Sequence, residues 1–365
     1  MIEGPQYAPG GGLPPILADT APDLWGQLLL ERREAETADR EGRRARRLSE
    51  WDLLVGVSDE TRMGALRLRR RVDGPFIDDA NPAIPPMTGL LVLEAAARAF
   101  EKRHGAPITD PTIALLITLG SSLGGGRPKA NFRGVDHDLW IAKFPSRTDR
   151  RDSGAWEEVF AQLAREARID VADSELLALG DSGRTFATRR FDRTEAGRRL
   201  FASAVTMTGK GDREPAGYPD PAMAIADHVA PAAVREDLEQ LFRRLAFNVL
   251  AGNRDDHLRN HGFLRLPEGW RLAPAYDLNP AREIGEHSLT LDGTITAPSL
   301  PAAIGTHRLF GLSDTGAREM VREVASAVSK WPAVADSVGI SRSEQATVGA
   351  VFMSLSPDFE QSGAS

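Results

Sequence analysis

The feature that most constrains this chain is an apolar stripe that ends in front of a block of polar residues. Val234, Leu238, Leu241, Phe242, Leu245 and Val249 recur at helical spacing and the pattern stops at Gly252, which predicts a long helix with one buried face and a glycine at its end. The next nine residues are Asn253-Arg254-Asp255-Asp256-His257-Leu258-Arg259-Asn260-His261. Beyond them, two short apolar runs between Phe263 and Ala273 flank Pro267, Glu268 and Gly269, the pattern of a hairpin. A polar loop held between a helix and a hairpin is where catalytic groups concentrate. An Asp-rich turn also serves as a capping or solvated loop, and taken alone the segment leaves both readings open.

The rest of the chain supplies a scaffold around that loop. Gly10, Gly11, Gly12, Pro14 and Pro15 mark the start as a loop or tether. A helix is expected over Asp19 to Glu31, capped by Thr20, and the mixed charges from Glu31 to Leu48 read as a solvated helix face. Gly64 to Arg71 looks strand-like, prolines 75, 82, 85 and 86 mark an irregular connection, and a helix resumes from Thr88 to Lys102. Leu139 to Phe144 reads as a short buried strand. The segment from Ala155 sets Trp156, Val159, Phe160 and Leu163 on one helical face, and Arg184 to Phe191 is strand-like again. At 365 residues, with 41% apolar and 27% charged side chains, a globular protein of two lobes is expected. The absence of cysteine removes disulfides, thiolate metal sites and cysteine nucleophiles. A net charge of -7 argues against a protein that coats nucleic acid. No apolar run is long enough to span a bilayer and no secretory pattern opens the sequence, so a cytoplasmic protein without membrane contact is expected.

Asp255 and Asn260 stand five apart, the separation of the Asp that receives a hydroxyl proton and the Asn that holds magnesium in protein-kinase catalytic loops. Tyr276-Asp277-Leu278 follows the hairpin and offers the second oxygen ligand such a metal needs. Upstream, Gly120 to Lys129 is glycine-rich with Arg127 and Lys129 beside it, which suits either a phosphate cradle or a plain flexible turn. It is not a Walker loop. Lys143 sits in an apolar strand where an ammonium needs an anionic partner, and Glu157 on the following helix is a candidate. The order glycine loop, strand lysine, helix glutamate, catalytic Asp, Asn and metal Asp is that of a phosphoryl-transfer site.

The segments SSLGGGRPKA (121–130), WIAKF (140–144), RRFDR (189–193), NRDDHLRNHGF (253–263) and AYDLNP (275–280), with LPPILADTAPDLWG (13–26) before them, together resemble HipA-type serine/threonine kinases, the toxins of bacterial toxin-antitoxin pairs. The resemblance runs from about residue 13 to about residue 350. It implies an α+β, bilobed protein-kinase-like fold: a mixed N-terminal lobe over 1–187, a mainly helical C-terminal lobe over 188–354 and a tail over 355–365. It further implies ATP and Mg2+ as cofactors, with Asp255 as catalytic base and Asn260 and Asp277 as metal ligands. Lys143 would contact the nucleotide phosphates, and the loop Gly124, Gly125, Gly126, Arg127 and Lys129 would cover them. Arg189, Arg190 and Phe191 would form the adenine-side hinge, with His257 and Tyr276 also near the nucleotide and Glu157 pairing with Lys143. Ser122 falls at the family's autophosphorylation position; an ordinary loop serine is the other reading of it.

As partners the resemblance implies a protein substrate such as an aminoacyl-tRNA synthetase and a helix-turn-helix antitoxin, with DNA reached only through that antitoxin. Three consecutive glycines depart from the family loop. The small strand-rich subdomain that usually opens such chains is not recognisable, which suggests a truncated start or a separate small protein that supplies it. Two other functions compete. One is a catalytically silent pseudokinase serving as antitoxin partner in a repressor complex. The other is a metal-dependent phosphohydrolase built from Asp255, Asp256, His257, His261 and Asp277. With Asp255 as the base, an Asp256→Asn change is expected to be tolerated.

Overall fold

A computed structural model describes residues 12–78, 84–102, 111–120, 125–181, 183–211, 214–281 and 285–353. The chain divides into two compact units. One comprises Met1–Arg150 with Glu175–Phe201, the other Arg151–Ser174 with Ala202–Ser365. The chain therefore changes unit three times, whereas the sequence suggested a single division after residue 187.

The first unit is built on a four-stranded sheet of β1 (Lys129–Arg133), β2 (Leu139–Lys143), β3 (Ser174–Gly180) and β4 (Gly183–Arg189), in the order β1-β2-β4-β3. β2 is antiparallel to both its neighbours. Helices Leu24–Arg40, Leu90–Lys102 and Pro111–Gly120 contribute Trp25, Leu29, Leu93, Leu116 and Ile117 to one apolar core with Phe132, Ala142 and Phe144 of the sheet region. The Trp25 indole N–H donates to the Lys129 carbonyl at 3.0 Å, which ties the first long helix to the start of β1. That helix begins later than expected because Asp23, not Thr20, caps it; the Thr20 hydroxyl instead donates to the Leu17 carbonyl. It ends at Arg40, so the arginine run beyond it is not helical, and Arg43 and Arg46 pair with Glu34 and Asp52. Gly64 to Arg71 is not a strand: its one bridge joins Arg69 to Phe76. The helix Pro111–Gly120 (PTIALLITLG) gives no stripe to read, because almost every position is apolar.

The second unit is mainly helical. The predicted helix spans Val234–Ala251 and stops at Gly252, whose φ of 73° is the left-handed cap only glycine adopts freely. A Cβ there would also lie 2.5 Å from the Val351 carbonyl oxygen, so this glycine permits both the turn and a close approach. Phe247 on this helix meets Phe160 of the helix Ser153–Glu166 edge to face, with ring centroids 5.8 Å apart. Trp156, Trp331 and Phe352 complete an aromatic cluster. The predicted hairpin is present as antiparallel strands Gly262–Leu266 and Gly269–Leu272. No helix among the described residues is long and apolar enough to cross a membrane.

Candidate active site

The loop that follows the long helix is held by its own side chains. The Asn253 amide N–H donates to Asn248 Oδ1 at 3.0 Å. Asp256 is buried and accepts from the Tyr218 hydroxyl at 2.5 Å, and its Oδ2 lies 3.0 Å from His261 Nε2. Burial pushes the Asp256 carboxyl up, but the charge of His261 and the His261 and Tyr218 hydrogen bonds outweigh it and hold the group below the usual carboxylate range. Asp255, between these anchors, is exposed. Adjacent aspartates thus have opposite fates, and the expectation that Asp256 tolerates change is corrected: it is the hub of a buried network.

Asn260 donates its side-chain N–H to the Asp255 carbonyl at 3.0 Å. This bond sets the orientation of the amide and leaves Oδ1, an oxygen suited to a hard cation, as the other end of the group. The Asp277 segment is fixed from several sides. The Ala275 N–H donates to the Asp170 carbonyl at 2.7 Å, and the Tyr276 hydroxyl donates to the Arg259 carbonyl. Arg151 donates to the carbonyls of Pro280 and Ala281. Asp277 itself is exposed with φ at 58°, a region non-glycine residues occupy at a cost and which clusters at functional sites. The Tyr276 bond joins the residue before Asp277 to the residue before Asn260, so the two proposed metal ligands lie on segments tied together at their neighbours. Tyr276 therefore has a structural bond in addition to any ligand contact. His257 is exposed beside Asp255.

Arg254 and His287 form a buried pair with nitrogens 3.4 Å apart. Burial, then the Arg254 charge, push the His287 imidazole down to about 4 from its ordinary 6.5. A histidine held neutral in the fold stabilises it fully above about pH 6.5. That contribution is lost as pH falls towards 4, because the unfolded chain takes up the proton first, an effect on the order of 3 kcal/mol. The melting midpoint is expected to fall across this window and to fall less in His287→Gln; equal slopes in the two proteins would sink the assignment.

In the first unit, β1 and β2 place Lys129 directly opposite Lys143, and β4 places Phe186 on the other side of Lys143, whose Nζ is 5.9 Å from the Phe186 ring centroid. Two ammonium side chains at one register position concentrate positive charge there, an arrangement suited to an anion such as a polyphosphate. Gly125 has φ at 77°, and a Cβ there would sit 2.9 Å from Lys129 Nζ, so the ammonium packs against the loop backbone where a side chain would stand. The Gly125 N–H donates to Asp23 at 2.6 Å, and Gly126 lies against Leu24. Ser122 and Gly124 lie outside the described residues.

Two of the residues expected to contact the nucleotide make internal ties. Arg127 donates to the Phe144 carbonyl at 3.0 Å and to Asp149 at 2.5 Å. Arg190 is buried and donates to both oxygens of Asp192, to the Thr61 carbonyl and to Asn131. Asp192, fully buried, also accepts from Arg193 and from the Gly64 N–H. The RRFDR motif therefore forms a charge knot that staples the 60–64 segment to the end of β4. Its exposed member is Arg189, paired with Asp138, while Phe191 packs near Phe201. Glu157 is buried on the Ser153–Glu166 helix in the second unit.

Among the described residues no three His, Asp or Glu side chains gather as a metal cluster. Asp256 and His261, two of the five groups the phosphohydrolase reading needs, are engaged with each other. Tyr218, Asn248 and Arg151 were not foreseen. Tyr218 lies 38 residues from Asp256, the partner of its hydroxyl, and no local pattern announces it.

One unit thus carries a four-stranded sheet with its lysine pair, and the other, mainly helical, carries an anchored Asp/Asn loop. The profile of the HipA-like C-terminal domain family matches residues 121–331, more than half of the chain, and the chain belongs to that family. HipA of Shewanella oneidensis MR-1, solved with HipB and operator DNA, aligns with a TM-score of 0.59 and 16% identity over 89% of this chain and 83% of that one. At that identity the likeness concerns the fold. Y4dM of Sinorhizobium fredii, named as a candidate kinase, is 31% identical over 159 residues, 38% of this chain and 36% of that protein. The match thus spans about a third of that curated relative's length.

Proposed function

We propose that this chain is an ATP- and Mg2+-dependent serine/threonine protein kinase acting as the toxin of a toxin-antitoxin pair. The observation that carries the reading is the shape of the 253–260 loop, in which buried neighbours present an exposed Asp255 and the Asn260 amide is turned by the Asp255 carbonyl. Family membership and the opposed lysines of β1 and β2 support it. The donor set fits magnesium, since Asn260 Oδ1 and the Asp277 carboxylate are hard oxygen ligands and the remaining positions suit phosphate oxygens and water. When bound, ATP would supply the transferable phosphoryl group and Mg2+ would neutralise its charge. Asp255 would accept or orient the proton of the attacking serine or threonine hydroxyl, and Lys143 and Lys129 would hold phosphate oxygens.

The acceptor protein is proposed to be a translation component such as an aminoacyl-tRNA synthetase, met in the cytoplasm. A helix-turn-helix antitoxin would restrain the toxin and provide its link to DNA, and phosphate on Ser122 would repel the nucleotide phosphates. Labelled ATP given to the wild-type protein tests the reading: magnesium-dependent incorporation, mapped by mass spectrometry to include Ser122, is expected. No incorporation at all would favour the silent partner. Asp277→Asn should weaken nucleotide binding in Mg2+ by at least about tenfold, the order seen when support of a bound metal is lost. Binding measured in a chelator should stay as in the wild type; calorimetry showing the same loss in both conditions would remove Asp277 as a ligand.

A further inference from the structure

Four anchors converge behind the exposed Asp255. Asn253 is tied to Asn248 of the long helix, Asp256 to Tyr218 and His261, and the Asp255 carbonyl to Asn260. Tyr218 links two of these arms. Its hydroxyl donates to Asp256 at 2.5 Å and accepts from the Asn248 amide at 2.8 Å, and Asn248 in turn receives Asn253. One oxygen therefore joins the residues on either side of the Arg254-Asp255 dipeptide. The Tyr218 side chain is fully buried, at the start of the helix Pro219–His228, and its ring meets the His261 ring at 72° with centroids 5.7 Å apart. Burial first, and then the Asp256 charge, raise the phenol well above its ordinary range, so the hydroxyl keeps its proton.

We infer that Tyr218 is a positioning residue for catalysis: its hydroxyl, as the node between Asn248 and Asp256, sets the aim of the Asp255 carboxylate. The inference rests on the kinase reading. The role is separable from packing because Tyr218→Phe keeps the ring and removes only the node. Misplacement of a reacting group by about 1 Å costs up to roughly a hundredfold in rate, so kcat of Tyr218→Phe is expected to fall at least about tenfold, with KM for ATP unchanged within about threefold. Asn248→Ala reaches the same node from its other side and should act in the same direction. The double variant should lose less than the product of the two single losses, as coupled residues do.

A merely structural role would lower the melting midpoint and leave kcat per folded molecule at the wild-type value, and that outcome overturns the inference. If Tyr218→Phe does not fold, the kcat and KM of Asn248→Ala decide in the same way. Wild-type protein that transfers no phosphate would defeat the kinase reading instead. The positioning claim is then decided by amide exchange, which should be faster at residues 254–256 in Tyr218→Phe than in wild type; equal protection overturns it.

Discussion

Asp255→Asn is expected to abolish phosphate transfer while leaving the protein folded and able to bind nucleotide. The Asp255 side chain is exposed and stands outside the buried network that holds its neighbours, so an amide of the same shape disturbs no internal partner. What it removes is the proposed base. A positioned general base contributes roughly 10²- to 10⁴-fold, and single-turnover rates with labelled ATP should fall by that order at an unchanged melting midpoint. In cells, expression of the wild-type chain without an antitoxin should slow growth and the variant should not. A variant retaining the wild-type rate would show that the wrong aspartate, or the wrong chemistry, has been assigned.

Asp256→Ala is expected to fail in the opposite manner, through stability. Removing the carboxylate leaves the Tyr218 hydroxyl and the His261 ring nitrogen without their acceptor in a buried site, and breaking such an interaction costs about 3 kcal/mol. For a unit of this size that corresponds to a fall of roughly 6–12 °C in the melting midpoint. Asp256→Asn, which keeps one acceptor oxygen, should lie between. Thermal unfolding checks the pair: a melting midpoint within a degree of wild type for Asp256→Ala would mean that the network is not a fixed part of the fold. Together the two substitutions separate adjacent aspartates by what they change, rate in one and stability in the other.

The helix Val234–Ala251, its terminal glycine and the hairpin after the loop were readable because each rests on a short-range rule. One-sided apolar spacing, a left-handed cap and turn residues between two apolar runs all lie within a few positions of one another. The same holds for β2 and for the helix bearing Trp156. The first long helix was placed a few residues early because Thr20 and Asp23 are both plausible caps. Only the fold shows that Thr20 bonds back to Leu17. Pro111–Gly120 escaped notice because a helix apolar on every side has no stripe.

For the site, the residue types at positions 255, 260 and 277 and the lysine in an apolar strand were enough to suggest phosphoryl transfer, since the chemistry demands a carboxylate base, oxygen ligands and cations in that order along the chain. Spacing to Asn260 favoured Asp255 over Asp256, but it could not show what either carboxylate touches. That Asp255 is exposed and Asp256 buried depends on Asn248, in the helix just before the loop, and on Tyr218, 38 residues from Asp256 at the start of another helix. That Lys129 stands opposite Lys143 depends on strand register. That Arg127 and Arg190 make internal ties, although they lie in motifs that look ligand-facing, depends on which carboxylates and carbonyls the fold brings beside them. Local spacing names the groups able to do the chemistry; long-range hydrogen bonds and burial select which of them are free to face a substrate, because a charge inside the fold must be matched by partners that no local pattern specifies.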